Sequence, residues 1–350
     1  MRIHNKKRFI PILFITLLTT SFLGCDNSLD VTADWKEIPL IYGLLNPSAE
    51  YNYIRVNRAY LNQEGDAFKF ASESDSIQFK DLTVSLVEFK NGVEENAITM
   101  NKVIGDTIGL EKEDGNFAKS PNILYRTSYP IKQSFLSTIY SYELVVVNNQ
   151  SGKVYRSLAN MVGESEIFSP IRESNQVINI DDDTLRFLYI NYREGPQAKM
   201  YDCIMRFRYK EYAKGSPNEF VVDSVDWLIF KSRETLTLRG YKEQQTNIKS
   251  YLFYDFLRTS IGENSDVERV PLDMGFYLYG SGEDLFTYVE VNKPSIGIVQ
   301  KKPEFTNISD GLGIFSSLNI KAFNHVTISD PMMNTLISSE RVAGLNFVRP

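Results

Sequence analysis

The chain has 350 residues and a formal net charge of −6 at pH 7, with only two histidines and two cysteines. A net acidic chain excludes nucleic acid as an expected partner, because contacts to a phosphate backbone require clustered lysine and arginine. Zinc sites need three or four protein ligands, so this composition also excludes a zinc centre built on histidine and cysteine. The length allows two domains with substantial cores.

Residues 1–24 have the parts of a secretory signal peptide. Basic residues precede an apolar run at 9–18, and small or polar residues follow it. The run is about half the roughly 20 residues that a membrane-spanning helix needs. The signal ends in Leu23-Gly24-Cys25, which resembles the bacterial lipobox. The resemblance implies that Cys25 becomes the first residue of the mature chain and carries the lipid; plain secretion is the alternative.

Lipidation of Cys25 has two consequences. Each buried CH₂ contributes about 0.8 kcal/mol, so several acyl chains, such as palmitate, would hold the protein on a membrane permanently. Lipidation would also leave Cys203 without an intramolecular disulfide partner. Cys203 lies in the strand-like run MYDCIMRFRYK, and we therefore expect it to be a small buried apolar residue.

Residues 25–36 are polar and lack periodicity, which predicts a tether. An Ig-like β-sandwich is predicted over residues 37–165, because short alternating runs recur there with turn residues between them. The predicted strands are 38–45, 51–60, 82–89, 121–128 and 140–147. Asn46-Pro47-Ser48 predicts a hairpin between the first two strands, and Asn91-Gly92 is a strong hairpin signal after the third.

A β-rich domain with one or two packed helices is predicted over residues 166–350. Its strands are expected at 184–192, 199–209 and 219–231. Apolar residues recur at helical spacing within 246–260, which predicts a helix there. A second short helix or a strand is expected at 283–292. The fold class is therefore mainly β.

The sequence contains no catalytic signature. His325 is the one histidine outside the signal peptide, and no G-x-S-x-G occurs, so we expect His325 to be an ordinary sheet or surface residue. Asp181-Asp182-Asp183 lacks the spacing of a calcium loop and predicts a solvated turn, with adventitious calcium as the alternative. A glycosidase that uses two carboxylates stays open. We expect a protein that is not an enzyme and has no cofactor or metal.

Residues 303–317, PEFTNISDGLGIFSS, resemble the closing motif of a family of Bacteroidota lipoproteins of unknown function. In that motif an Asn-Ile, a Gly-x-Gly and an aromatic residue precede the last strand, and Asp310 stands where glycine is often found. The likeness extends loosely to IPLIYGLLNP and to YSYELVVVNNQSGK. The resemblance implies a lipid-anchored protein of the outer membrane that faces the cell surface and associates with TonB-dependent transporters or other β-barrel machines. It carries over no ligand residue.

An Asp-Ser or Asp-Thr followed by an aliphatic residue resembles the O-glycosylation acceptor of Bacteroidota. On this pattern Ser76 and Thr107 are predicted acceptors.

The leading functional expectation is a non-enzymatic accessory subunit that binds an outer-membrane β-barrel protein of a transporter, assembly or secretion complex. The alternative is a lipoprotein that captures a glycan or peptide for uptake. Exposed aromatic side chains along one cleft would favour the alternative.

Overall fold

A computed structural model describes residues 38–59, 72–73, 77–115, 118–294 and 304–350. These residues are mainly β, as predicted. The strands, numbered in chain order, are β1 (Ile38–Leu45), β2 (Asn52–Ala59), β3 (Leu82–Lys90), β4 (Val93–Thr99), β5 (Asn101–Ile104), β6 (Ile123–Thr127), β7 (Tyr140–Asn148), β8 (Val154–Asn160), β9 (Glu166–Ser169), β10 (Val177–Ile178), β11 (Phe187–Arg193), β12 (Met200–Ala213), β13 (Phe220–Glu234), β14 (Glu243–Lys249), β15 (Val267–Ser281) and β16 (Leu312–Ile328). The helices are α1 (Tyr251–Ile261), α2 (Glu283–Asn292) and α3 (Asp330–Ser338), with short 3₁₀ helices at Gly105–Ile108 and Glu340–Leu345.

The strands form three sheets. The nine-stranded sheet has the order β13-β12-β15-β16-β1-β2-β6-β5, with β10 paired to β16. The second sheet has the order β4-β3-β7-β8, and the third β14-β11-β9. The β1–β2 and β3–β4 hairpins are confirmed. Asn91 and Gly92 between β3 and β4 have φ of 51° and 80°, the left-handed values that a tight hairpin turn requires.

The predicted N-terminal β-sandwich is also confirmed. The four-stranded sheet packs against the β1-β2-β6-β5 part of the large sheet over a first core. Ile41, Ile54 and Tyr125 enter this core from one sheet, and Leu86 and Leu144 enter from the other. Alternation along each strand places these side chains on the inner faces, where they are removed from water.

Strand β16 connects the sandwich to the second half of the chain. Its residues 312–317 pair in parallel with residues 40–45 of β1, and its residues 318–326 pair with β15. Phe315 lies in the first core and Phe323 in the second. A single sheet therefore spans both cores, and the division of the chain at 165/166 into two domains stays a prediction.

The segment that resembles a family motif closes the first core. The Asn307 side-chain amide donates to the Phe315 carbonyl oxygen at 2.6 Å, and its oxygen accepts from the Phe315 N–H at 3.0 Å. At Gly313, φ is 112° and a Cβ would lie 1.9 Å from the Ile41 carbonyl oxygen, so only glycine fits where β16 meets β1. Asp310 has a left-handed φ of 51°, a conformation that glycine adopts readily.

The second core begins at Val162, directly after Met161 of the first. It is formed by the second half of the chain and includes the fully buried Cys203, as predicted. Burial raises the pKa of the Cys203 thiol, which keeps it protonated and unreactive.

The helices differ in part from the sequence prediction. Residues 246–249 were expected to be helical but belong to β14, which pairs with β11, so α1 begins only at Tyr251. Helix α2 occupies 283–292, one of the two predicted alternatives. Helix α3 is a third helix that was not predicted. Within the described ranges, none of the helices has the length and apolar character needed to cross a membrane.

Candidate functional site

A cleft of about 1000 Å³ is lined from both halves of the molecule. The three-stranded sheet contributes Asn191 and Arg193 of β11, which lie opposite Gln245 and Glu243 of β14. Residues 133–135 of the sandwich, the loop at 172–174 and Lys321 of β16 also line the cleft. Its volume is at the upper end of the range, about 300–1,000 Å³, that is typical of pockets for small ligands.

Most charged side chains of the cleft are held in two ion-pair groups. The Arg193 guanidinium donates to Glu166 at 2.6 Å and to Glu243 at 3.1 Å. The Lys321 ammonium donates to Glu164 at 2.7 Å and to Glu173 at 2.5 Å. The hydrogen bond from Lys321 lowers the pKa of the Glu173 carboxyl. These groups fix several charged side chains in place along the cleft.

Glu194 differs from the other carboxylates of the cleft because it is only 2% exposed. It directly follows β11, where its N–H donates to the Lys242 carbonyl oxygen at 2.9 Å and its own carbonyl oxygen accepts from the Tyr241 N–H at 2.7 Å. The next residue, Gly195, packs so closely that a Cβ there would lie 2.2 Å from the Gly163 carbonyl oxygen. The backbone that carries Glu194 is thus held on both sides.

The Glu194 carboxylate is only half satisfied. Oε1 accepts from the Gln244 side-chain amide at 2.8 Å, whereas Oε2 is buried and accepts no hydrogen bond from any described residue. Burial raises the pKa of this carboxyl, and the Gln244 hydrogen bond and the Lys242 charge oppose the shift. The Asn191 side-chain oxygen, on the same cleft, is likewise buried and has no donor among the described residues.

Aromatic side chains stand at several points of the cleft. Phe135 and Tyr241 are 50% and 46% exposed. Phe168 is partly buried, and the Arg193 guanidinium lies 4.9 Å from the centre of its ring. Flat, half-exposed rings beside fixed polar groups are the features that bind peptides and sugars.

The residues predicted from sequence lie elsewhere. Cys25 and Ser76 are outside the described residues, so lipidation and glycosylation there stay predictions. Thr107 is exposed in the first 3₁₀ helix, where its hydroxyl donates to the Ile104 carbonyl oxygen at 2.8 Å. It is not part of the cleft, and its glycosylation stays a prediction.

The acidic run at 181–183 and His325 were considered in the sequence as a calcium site and a catalytic residue. Asp181 and Asp183 accept hydrogen bonds from backbone N–H groups two residues on, as expected for a turn before a strand. His325 is exposed on β16, with its Nδ1 2.9 Å from an Asp273 oxygen and 2.7 Å from an Arg208 nitrogen. Across the described ranges, no group of three or more acidic, histidine or cysteine residues could hold a metal ion.

Sequence reasoning missed the cleft residues. Glu194 stands in the run NYREGPQ, where the only local signal is a charged residue before Gly-Pro at the end of a strand. Its partner Gln244 is 50 residues away in the chain. A burial that depends on such distant contacts leaves no pattern in the sequence.

The chain matches no protein-family model, and a search of curated proteins finds no match. The resemblance to Bacteroidota lipoproteins therefore stays a prediction.

Proposed function

We propose that this chain is a ligand-capturing lipoprotein, which binds a peptide or glycan in the cleft while lipid on Cys25 keeps it at the outer membrane. The observation that carries the proposal is the cleft itself, since it combines ligand-sized volume, exposed rings and charged groups fixed by ion pairs. Binding sites that are formed in advance lose less entropy when the ligand binds.

The proposal is tested by calorimetry on the full chain in mild detergent. The probes are tri-alanine, tri-lysine, tri-glutamate, maltotriose and chitotriose. We expect one of these classes to bind with a stoichiometry near one. Tyr241→Ala should weaken that binding about tenfold, since stacking on an exposed ring contributes roughly 1 kcal/mol or more.

The matched control is Phe220→Ala, which removes an aromatic ring of similar exposure on β13, outside the cleft. It should bind like the wild type. The proposal is wrong if no probe binds, or if Phe220→Ala weakens binding as much as Tyr241→Ala does.

A second candidate function is the accessory subunit of a β-barrel complex, and one feature of β13 favours it. This strand ends the nine-stranded sheet, and within the described residues it pairs only with β12. Phe220, Val221, Val222 and Leu228 on it are all exposed. An open edge with apolar side chains is suited to receiving a strand from another protein, here a β-barrel protein of the same membrane.

The second candidate is tested by affinity purification from membranes in mild detergent. A charge at Val221, which is 67% exposed, should block strand addition. Wild type and the control Leu185→Lys, at a position 78% exposed outside β13, should recover a stoichiometric barrel protein that Val221→Lys loses. If the wild-type protein is purified without a stoichiometric barrel protein, this function is excluded.

A further inference from the structure

Within the described residues, one carboxylate of the cleft forms no ion pair, although the Lys242 charge acts on it. Glu164, Glu166, Glu173 and Glu243 are each paired with Lys321 or Arg193. The Glu194 carboxylate has no ion pair with any described residue, although it is the most deeply buried of them. An unpaired buried charge is unfavourable, and proteins normally supply a partner for it.

We infer that Glu194 recognises a primary ammonium group of the ligand, which would complete the ion pair that the chain itself leaves open. The inference rests on the proposed function of the cleft and specifies its ligand. Glu194 lines the cleft; its Oε1 accepts from Gln244, whereas the buried Oε2 has no donor among the described residues.

The geometry favours ammonium over other groups. A guanidinium binds carboxylates best through two parallel hydrogen bonds to both oxygens, and Gln244 already uses one lone pair of Oε1. An ammonium is a compact charge with three donors and can bind through a single carboxylate oxygen. A sugar hydroxyl would supply a hydrogen bond but would leave the carboxylate charge unbalanced.

The protonation of Glu194 provides a second readout. Burial raises the pKa of the carboxyl, and a cation bound beside it would favour the ionised form. Binding of an ammonium group should therefore release protons near the raised pKa. Proton release is measured by calorimetry in buffers with different ionisation enthalpies.

The test uses four probes on the full chain in mild detergent. Tri-alanine amide carries an ammonium at its N-terminus, N-acetyl-Ala-Lys-Ala amide carries it on a side chain, N-acetyl-tri-alanine amide carries none, and glucosamine carries it on a sugar. The variant is Glu194→Gln, which keeps the shape and removes the charge. Glu143→Gln is the matched control, because it removes an ion-paired carboxylate, the partner of Arg156, that lies outside the cleft.

We expect at least one ammonium probe to bind ten times or more tightly than the acetylated peptide, with proton release. Glu194→Gln should abolish that preference and the proton release, whereas Glu143→Gln should keep both within threefold. The probe that binds best identifies the ligand as a peptide N-terminus, a lysine side chain or an amino sugar.

The inference is overturned if the acetylated peptide binds as tightly as the ammonium probes, or if Glu194→Gln keeps the preference. Either result leaves the cleft as a binding site. Failure of these probes while maltotriose, which carries no ammonium group, binds overturns only the ammonium inference. Failure of every probe in both panels overturns the proposed function as well. A thermal unfolding transition at or above that of the wild type shows that Glu194→Gln is folded.

Discussion

Two buried glutamates in this protein have opposite surroundings. Glu88, in the sandwich, is fully buried, and both of its oxygens are occupied. Oε1 accepts from the Lys132 ammonium at 2.6 Å, and Oε2 accepts from the Tyr142 hydroxyl at 2.6 Å. Glu194, in the cleft, is 2% exposed, with one oxygen that accepts from no described residue. The protein therefore supplies donors to both oxygens of the buried carboxylate in the sandwich, but to only one oxygen of the buried carboxylate in the cleft.

The different surroundings of Glu88 and Glu194 predict opposite effects on stability when their contacts or charges are removed. Removing one partner of a satisfied buried charge exposes the full cost of desolvation, so the contacts of Glu88 should be important for stability. Glu194 already bears part of that cost, so neutralising it should stabilise the fold. Opposite signs of two stability changes are therefore the sharpest test of the comparison.

The largest effect is expected for Tyr142→Phe, which leaves Glu88 half satisfied, as Glu194 is. The Tyr142 hydroxyl also accepts from the Lys132 N–H at 3.0 Å, so the change breaks one buried and one partly buried hydrogen bond. We expect the free energy of unfolding to fall by about 2–3 kcal/mol, because hydrogen bonds to charged groups contribute roughly 1.5–3 kcal/mol. Urea unfolding followed by circular dichroism measures it.

A double variant checks this explanation. Adding Glu88→Gln to Tyr142→Phe should recover part of the loss, because an amide is less costly to bury without a partner than a carboxylate is. A fall of less than about 0.5 kcal/mol for Tyr142→Phe alone would show that the Glu88 contacts contribute little.

The next effect has the opposite sign. Glu194→Gln should raise the free energy of unfolding at pH 8 by about 1 kcal/mol, because it replaces a buried, unpaired carboxylate by a neutral amide. The same urea experiment measures the change. A decrease would show that the Glu194 charge supports the fold and would remove the contrast with Glu88.

The pH dependence of this gain follows from the direction of the pKa shift. The pKa of Glu194 is raised in the folded state, so its protonated form stabilises the fold. That stability is complete below about pH 4.3, the value for an unperturbed glutamate, and is lost as the pH rises through the raised pKa. The advantage of Glu194→Gln should therefore be near zero at pH 4 and grow toward pH 8.

The groups that face Glu194 do not reverse this sign. The Lys242 charge and the Gln244 amide act against the shift, but burial outweighs them. Burial also raises the pKa of the adjacent Tyr192 and Tyr201 hydroxyls, so neither hydroxyl ionises between pH 4 and pH 8. Thermal unfolding of the wild type and of Glu194→Gln in matched buffers between pH 4 and pH 8 checks the prediction. A difference in unfolding temperature that stays constant with pH would contradict it.

Local patterns predicted local structure well in this chain. Alternation predicted β3 and Asn91-Gly92 predicted the hairpin turn after it, because each signal is encoded within a few residues. Strand β4 was not predicted, since its residues are mostly exposed and do not alternate. Helix α3 was missed although a signal was present, since Ser329 caps it through a hydrogen bond from the Met332 N–H and Pro331 lies in its first turn.

Long-range contacts explain what could not be predicted. The parallel pairing of β1 with β16 joins strands from opposite ends of the chain, and no short pattern specifies it. The helical spacing within 246–260 was overridden at its start by pairing of β14 with β11. The cleft is formed by segments that only the assembled sheets bring together, so its residues look like ordinary surface charges in the sequence.

The smallest effect is expected for Glu243→Gln, which tests whether the paired carboxylates of the cleft contribute to stability at all. Glu243 and Arg193 are 68% and 35% exposed, and Arg193 keeps Glu166 as a partner after the change. Exposed ion pairs contribute about 0–1 kcal/mol, so we expect a fall of less than about 0.5 kcal/mol that vanishes in 1 M salt. Urea unfolding at low and high salt measures it. A larger loss that persists in salt would mean that the ion-pair groups support the fold, and Glu194 would then be one unsatisfied member of a structural network rather than a site left open for a ligand.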